Sequence, residues 1–150
     1  MIKAVIFDWG RTLYDNDLNR EADGAKEILR FCKEKGCRMA LVSKVSGNHT
    51  VEGRTQLIEN SPLRQYLDLF FVTAEYKDKF LDEIVRNWDL PRSEIMIVDD
   101  RTVRGIKYGN EHGHPTVWLE KGKYAQELPN AETGQPTHRI RELRELFEIL

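Results

Sequence analysis

The sequence predicts an α/β protein built on a doubly wound, mostly parallel sheet, and two patterns carry that expectation. Short β-branched or aliphatic runs at residues 3–7, 38–42, 69–72, 95–98 and 116–119 lack the alternation of a half-exposed strand, as strands buried on both faces do. Between them, apolar residues recur at helical spacing, so the strands are read as linked by crossover helices.

Taken in order, the first strand stops at Asp8. The first helix begins near Gly24, gathers Ala25, Ile28, Leu29 and Cys32 on one face, and ends at Gly36. A second helical region at residues 55–60 is interrupted by Pro62. The third helix brings Leu81, Ile84, Val85 and Trp88 together and closes at Leu90-Pro91. Residues 122–136, rich in Gly, Pro, Asn and polar side chains, read as a surface loop. Residues 141–150 read as an amphipathic helix through Leu143, Leu146, Phe147 and Leu150. No repeat, low-complexity tract or linker intervenes, so residues 1–150 are expected to form a single domain.

Composition narrows the possible partners. Charged residues make up 32% of the chain with a net charge of -2 and both signs interspersed, so neither nucleic acid nor an acidic membrane surface is expected to bind. No apolar stretch approaches the roughly 20 residues of a membrane span, and the first residues show no signal-peptide pattern, so a cytoplasmic location is expected. Cys32 and Cys37 lack the second pair a zinc site needs and read as packed, reduced thiols.

In doubly wound sheets, ligands bind beyond the carboxyl ends of the strands. Strand one ends on Asp8, strand two on Ser43 and strand four on Asp99-Asp100, while Lys77 lies in the turn before the third helix. Each alone has an ordinary explanation as a helix cap, a turn residue or a solvated charge. Together they do not, because a carboxylate at the end of a buried apolar strand costs desolvation energy unless a cation or several donors compensate it. Asp8 with Asp100, and with Asp99, makes a set of hard oxygen ligands that suits Mg²⁺ better than Zn²⁺.

These residues carry a resemblance. "FDWGRTL", "LVSK", Lys77 within "YKDKFL", and "IVDDR" resemble, in order, the four motifs of the haloacid dehalogenase (HAD) superfamily of hydrolases, over about residues 3–119. The ending "PTHRIRELRELFEIL" resembles the last strand and helix of that superfamily. The resemblance implies the HAD-like Rossmannoid fold with strand order 3-2-1-4-5, which places Asp8 beside Asp100. It also implies a capless member, since residues 14–23 and 43–77 leave no room for a cap domain.

By the same resemblance Asp8 is the nucleophile of a phosphatase, forming an aspartyl-phosphate that water hydrolyses. Mg²⁺ is held by Asp8, the Gly10 carbonyl and Asp100, with Asp99 behind the direct ligands. Ser43 donates to a phosphoryl oxygen, and Lys77 neutralises charge on the phosphate and Asp8; Lys79 is its possible substitute. Thr12 belongs with Arg11, Ser43 and Arg104 among the residues near substrate, although its hydroxyl reads better as structural. The expected substrate is a phosphorylated small molecule or an exposed phosphate on a macromolecule.

Two positions depart from the superfamily pattern. Gly10 stands where its phosphatases have a second aspartate, the general acid and base, so turnover is expected to be slow or to need a good leaving group. Arg104 stands where an acidic or amide residue is common and, with Arg11 and Arg101, makes the site more cationic, unless these are simply solvated loop arginines. The alternatives are a catalytically impaired HAD-like domain that binds a phosphorylated ligand or a protein, and a dehalogenase or C-P hydrolase. A receiver domain is disfavoured because the acidic pair follows the fourth strand rather than the first.

Overall fold

The structure, a computed structural model, describes residues 1–150. Strands β1 (Ala4–Phe7), β4 (Arg38–Lys44), β5 (Leu69–Thr73), β6 (Ile95–Asp99), β7 (Thr116–Leu119) and β8 (His138–Ile140) form one parallel sheet in the order β5-β4-β1-β6-β7-β8. That order contains the expected 3-2-1-4-5 arrangement and extends it by β8. A separate antiparallel ribbon pairs β2 (Tyr14–Asp15) with β3 (Arg20–Glu21).

The alternation of buried side chains along β1 explains the double winding. Val5 and Phe7 enter the core shared with helix α1 (Ala25–Glu34), α2 (Val51–Glu59) and the C-terminal α5 (Leu146–Ile149). Ala4 and Ile6 enter a second core with α3 (Asp78–Trp88) and Tyr108 of α4 (Lys107–His112). Because both faces are covered, every residue of β1 is buried, which is why the run is apolar throughout.

Where the elements differ from expectation, local chemistry gives the reason. Helix α2 begins at Val51, ahead of the apolar residues, because the Thr50 side chain caps its N-terminus by accepting from the Gly53 N–H at 3.0 Å. The final segment is a 3₁₀ turn followed by the short α5, and it buries Leu143 and Leu146 while leaving Phe147 partly exposed. The loop at 122–136 is more embedded than its composition suggests, because Glu127 binds Arg101 and Thr102. Between β6 and α4 the chain makes a π-helical turn, Thr102–Ile106, an element the apolar spacing does not reveal.

No helical subdomain sits between β1 and α1: the segment holds only the β2–β3 ribbon, and the β4–β5 crossover is the single helix α2 with a 3₁₀ turn. The fold has no cap. No helix is long and apolar enough to cross a membrane.

Candidate active site and metal centre

The site stands at the carboxyl ends of the central neighbours β1 and β6. The Asp8 N–H donates to the Val98 carbonyl at 3.1 Å, continuing the β1–β6 ladder one residue past the strand and fixing where the carboxylate emerges. The chain then turns sharply: the amides of Thr12, Leu13 and Tyr14 all point at the Trp9 carbonyl, and Arg11 takes the left-handed conformation at φ 61°. Trp9 is buried and stacks on Tyr14 at 5.2 Å, anchoring the turn.

Asp8, Asp99 and Asp100 converge, offering carboxylate oxygens within 4.8 Å of one another, and all three are buried. Lys77, immediately ahead of α3, reaches Asp8 Oδ1 at 2.7 Å and Asp99 Oδ2 at 3.3 Å with its own side chain 5% exposed. Lys79 is exposed and lies near Glu75 instead. Of the two lysines, the structure brings Lys77 to Asp8.

The three carboxylates have different surroundings. Burial works to raise the pKa of Asp8, but the Lys77 ammonium, with its hydrogen bond, brings it below the ordinary carboxylate range. Burial likewise opposes the charge on Lys77, and the Asp8 and Asp99 carboxylates outweigh it, so the ammonium is held above its usual value. Asp99 has both oxygens occupied: Oδ1 accepts from the Arg101 N–H at 3.0 Å, and Oδ2 accepts from the Gly105 N–H at 3.0 Å and from Lys77. It is not among the residues that line the open cleft. Asp100 is the opposite case: its Oδ2 is buried without a partner, and burial together with Asp8 and Asp99 pushes its pKa up to about 10.

A buried carboxylate that lacks a donor, in a group of three facing one buried ammonium, fits a hard divalent cation. Asp8, Gly10 and Asp100 line one open cleft of about 350 Å³, so the residues expected to hold a metal share a surface. The Gly10 position is open as well: a side chain there would meet only the Asn16 amide, at 3.5 Å.

Other expected residues sit elsewhere. Thr12 is fully buried and donates to Asp8 Oδ2 at 3.3 Å, so it steadies the carboxylate and does not face the cleft. Ser43 is also fully buried; its hydroxyl accepts from Arg54 at 2.7 Å, and Arg54 is the group that reaches the cleft from this strand end. Arg11, Arg101 and Arg104 line the cleft, but the Arg101 guanidinium is bound by Glu127 and lies over the Tyr124 ring, with 3.8 Å to its centroid. The sequence reading missed Arg54, Lys44, His49, Asn16 and Lys123, which also line the cleft. Lys44 directly follows Ser43 in "LVSK", so its place was legible. The signal for Arg54 was the Thr50 cap, which starts α2 early enough to bring Arg54 to the end of β4.

A six-stranded parallel sheet with Asp8, Lys77 and the Asp99-Asp100 pair at its carboxyl edge is the arrangement that a HAD-like Rossmannoid fold would give. Comparison with known proteins agrees. Residues 77–146 match the HAD-hydrolase-like family model. The L-2-haloacid dehalogenase RSc1362 superposes with a TM-score of 0.79 at 12% identity, covering 99% of this chain and 98% of the other. A Haemophilus somnus protein named as a predicted phosphoglycolate phosphatase gives 0.76 at 12% identity, covering 99% and 97%. YfnB from Bacillus subtilis, bound to magnesium, gives 0.70 at 16% identity, covering 99% and 98%. No curated protein matches by sequence. The chain thus shares its fold with HAD-type hydrolases and resembles their family model over residues 77–146, and its own fold carries no cap.

Proposed function

We propose that the protein is a Mg²⁺-dependent phosphohydrolase acting through an aspartyl-phosphate on Asp8. The observation that carries this reading is the grip of Lys77 on Asp8 within a buried three-carboxylate group that opens onto a cation-lined cleft. The phosphatase name of one structural neighbour and the magnesium in another are in keeping with it.

In this scheme Lys77 keeps Asp8 ionised, which a nucleophilic carboxylate requires, and Thr12 fixes the orientation of its second oxygen. An Asp8 oxygen forms a bond to phosphorus while the ester P–O bond breaks, and the leaving oxygen departs with the electron pair. Water then attacks the same phosphorus, the bond to Asp8 breaks, and inorganic phosphate and a proton are released. Arg54, held by Ser43, faces the transferring oxygens with a charge-assisted donor. Asp8, the Gly10 carbonyl and Asp100 would hold Mg²⁺, which supplies neutralisation of the negative charge that otherwise repels a carboxylate from a phosphate.

Displacement at a carbon–halogen bond would leave the cleft cations without phosphoryl charge to balance, which favours phosphate over the dehalogenase alternative. One observation supports a second reading, a domain that binds a phosphorylated ligand without turning it over: Gly10 provides no acid. Phosphate release from p-nitrophenyl phosphate and acetyl phosphate, with and without Mg²⁺ and in Asp8→Asn, separates the readings. Release that needs both Mg²⁺ and Asp8 is expected. Release indifferent to Asp8→Asn overturns the mechanism, and intact metal binding without hydrolysis of either ester favours the binding domain.

A further inference from the structure

The cleft holds more positive charge than transfer of one phosphoryl group uses. Lys77 and Arg54 are already engaged at Asp8 and Ser43. Lys44, Arg104 and Lys123 line the same cleft, and none of the three forms an ion pair with a carboxylate. Arg11 has only a long contact to the exposed Asp17, at 3.7 Å. Arg101, by contrast, is bound by Glu127, so the fold neutralises cations here where it has the means.

Uncompensated cations in one concavity repel each other. Lys44 registers this: its ammonium is held below the usual lysine range first by burial and then by Arg104, Arg101 and Lys77. Tyr124 is the one hydrophobic residue in the lining, so an apolar substituent would find little to pack against. At about 350 Å³ the cleft has the size of a small metabolite site.

Resting on the phosphohydrolase reading, we infer that the substrate is a small molecule with a second anionic group besides the reacting phosphate, and that Lys44 and Arg104 receive that group. The second anion is a phosphate or a carboxylate, because either forms charge-assisted bonds with the two side chains. Arg104, which departs from the superfamily pattern, thereby becomes a specificity residue. Seating the second anion near Arg104 also offsets the positive charge this arginine brings to the edge of the acidic site.

The test measures binding by calorimetry to the Asp8→Asn protein, which does not turn ligands over. Fructose 1,6-bisphosphate is compared with fructose 6-phosphate, and 3-phosphoglycerate with glycerol 3-phosphate. At least one probe with two anionic groups is expected to bind about 10-fold or more tighter than its control with one, as an added charge-assisted contact predicts. The first comparison reports a second phosphate and the second a carboxylate. The preference should shrink in 0.5 M salt and collapse towards unity in the Lys44→Gln/Arg104→Gln protein. All four ligands binding within about 3-fold of one another overturns the inference, and this comparison needs no variant of the two cations. Hydrolysis of p-nitrophenyl phosphate by the unmodified protein is scored separately. Turnover without a preference for the second anionic group overturns this inference and leaves the phosphohydrolase reading standing; that preference without turnover supports the anion pocket and overturns hydrolysis.

Discussion

Replacing Lys77 by Met tests the electrostatic centre of the site directly. The substitution keeps a long unbranched side chain in a position that is 5% exposed, but it removes the ammonium from Asp8 Oδ1 at 2.7 Å and from Asp99 Oδ2 at 3.3 Å. Without metal, Asp8, Asp99 and Asp100 then face one another with no buried cation among them. Breaking a buried pair by removing one partner costs about 3–5 kcal/mol, a large share of the roughly 5–15 kcal/mol that holds a typical domain together. The cost depends on pH in a definite direction. In the unmodified protein Lys77 lowers the Asp8 pKa, so that pair contributes stability above the unfolded carboxylate value of about 4 and loses it as pH falls through the folded value. In the variant the carboxylates protonate more readily when folded than when unfolded, so it binds more protons in the folded state and loses stability as pH rises. The gap between the two proteins in urea unfolding should therefore widen from pH 5 to pH 8 and approach about 3–5 kcal/mol at neutral pH. A gap below about 1 kcal/mol at pH 7, or one identical at pH 5 and 8, refutes the assignment of Lys77 as the counter-charge.

Three further outcomes follow from the geometry. Gly10→Asp should raise turnover of alkyl phosphates more than aryl phosphates, by up to about 10²-fold, because a nearby acid matters most for poor leaving groups; equal gains on both classes refute the missing-acid account. Mg²⁺ affinity should increase with pH between about 6 and 8, on the order of tenfold per unit if one proton is displaced, because Asp100, with its pKa near 10, must give up its proton to coordinate; equal calorimetric dissociation constants at both pH values refute this. Gly105→Ala should destabilise by about 1–3 kcal/mol and reduce turnover, since its Cβ would stand 2.4 Å from Asp99 Oδ2, which is held by Lys77 and the Gly105 amide; an unchanged thermal midpoint shows that Asp99 can shift freely.

The sheet was legible because strands buried on both faces are written as apolar runs, and Asp8 and Asp100 were legible because carboxylates at the ends of such runs are physically anomalous. Lys77 was legible from its place ahead of α3. What the sequence hid depended on side-chain reach across elements. Ser43 ends an apolar run just as Asp8 does, yet the hydroxyl is covered by Arg54, which projects from a different element eleven residues away. Arg101 and Arg104 are similar in sequence, but a carboxylate from the 122–136 loop takes the first and none takes the second. The loop composition gave no hint that Glu127 would reach back. The β2–β3 ribbon, with two residues in each strand, was too short for periodicity to register.

Gly10 links these features to the proposed chemistry. Its backbone is not in the left-handed region, and a Cβ would make only ordinary contact with Asn16, so neither strain nor crowding requires a glycine there. A Cβ is accommodated there, and the fold does without one. The neighbouring Asn16 amide can donate or accept a hydrogen bond but has no proton to release at neutral pH. On the phosphohydrolase reading, a departing oxygen that takes no proton from the His49 imidazole, which also lines the cleft, would be stabilised as an anion rather than protonated as it leaves. The cleft is arranged for anions, with Lys44, Arg11, Arg104 and Lys123 in its lining. Fixed positive charge lowers the energy of a leaving oxyanion in proportion to the charge developed on it, with no proton to time. Cations supply only part of what a proton would, so an acidic leaving group, such as that of an aryl or acyl phosphate, is the one this arrangement serves best. On that basis the rate should fall steeply as the leaving-group pKa rises, and added salt should steepen the fall by screening the cations that offset it. A series of aryl phosphates assayed at two ionic strengths reads both slopes, and a flat dependence at low salt means that some residue of the cleft does supply a proton.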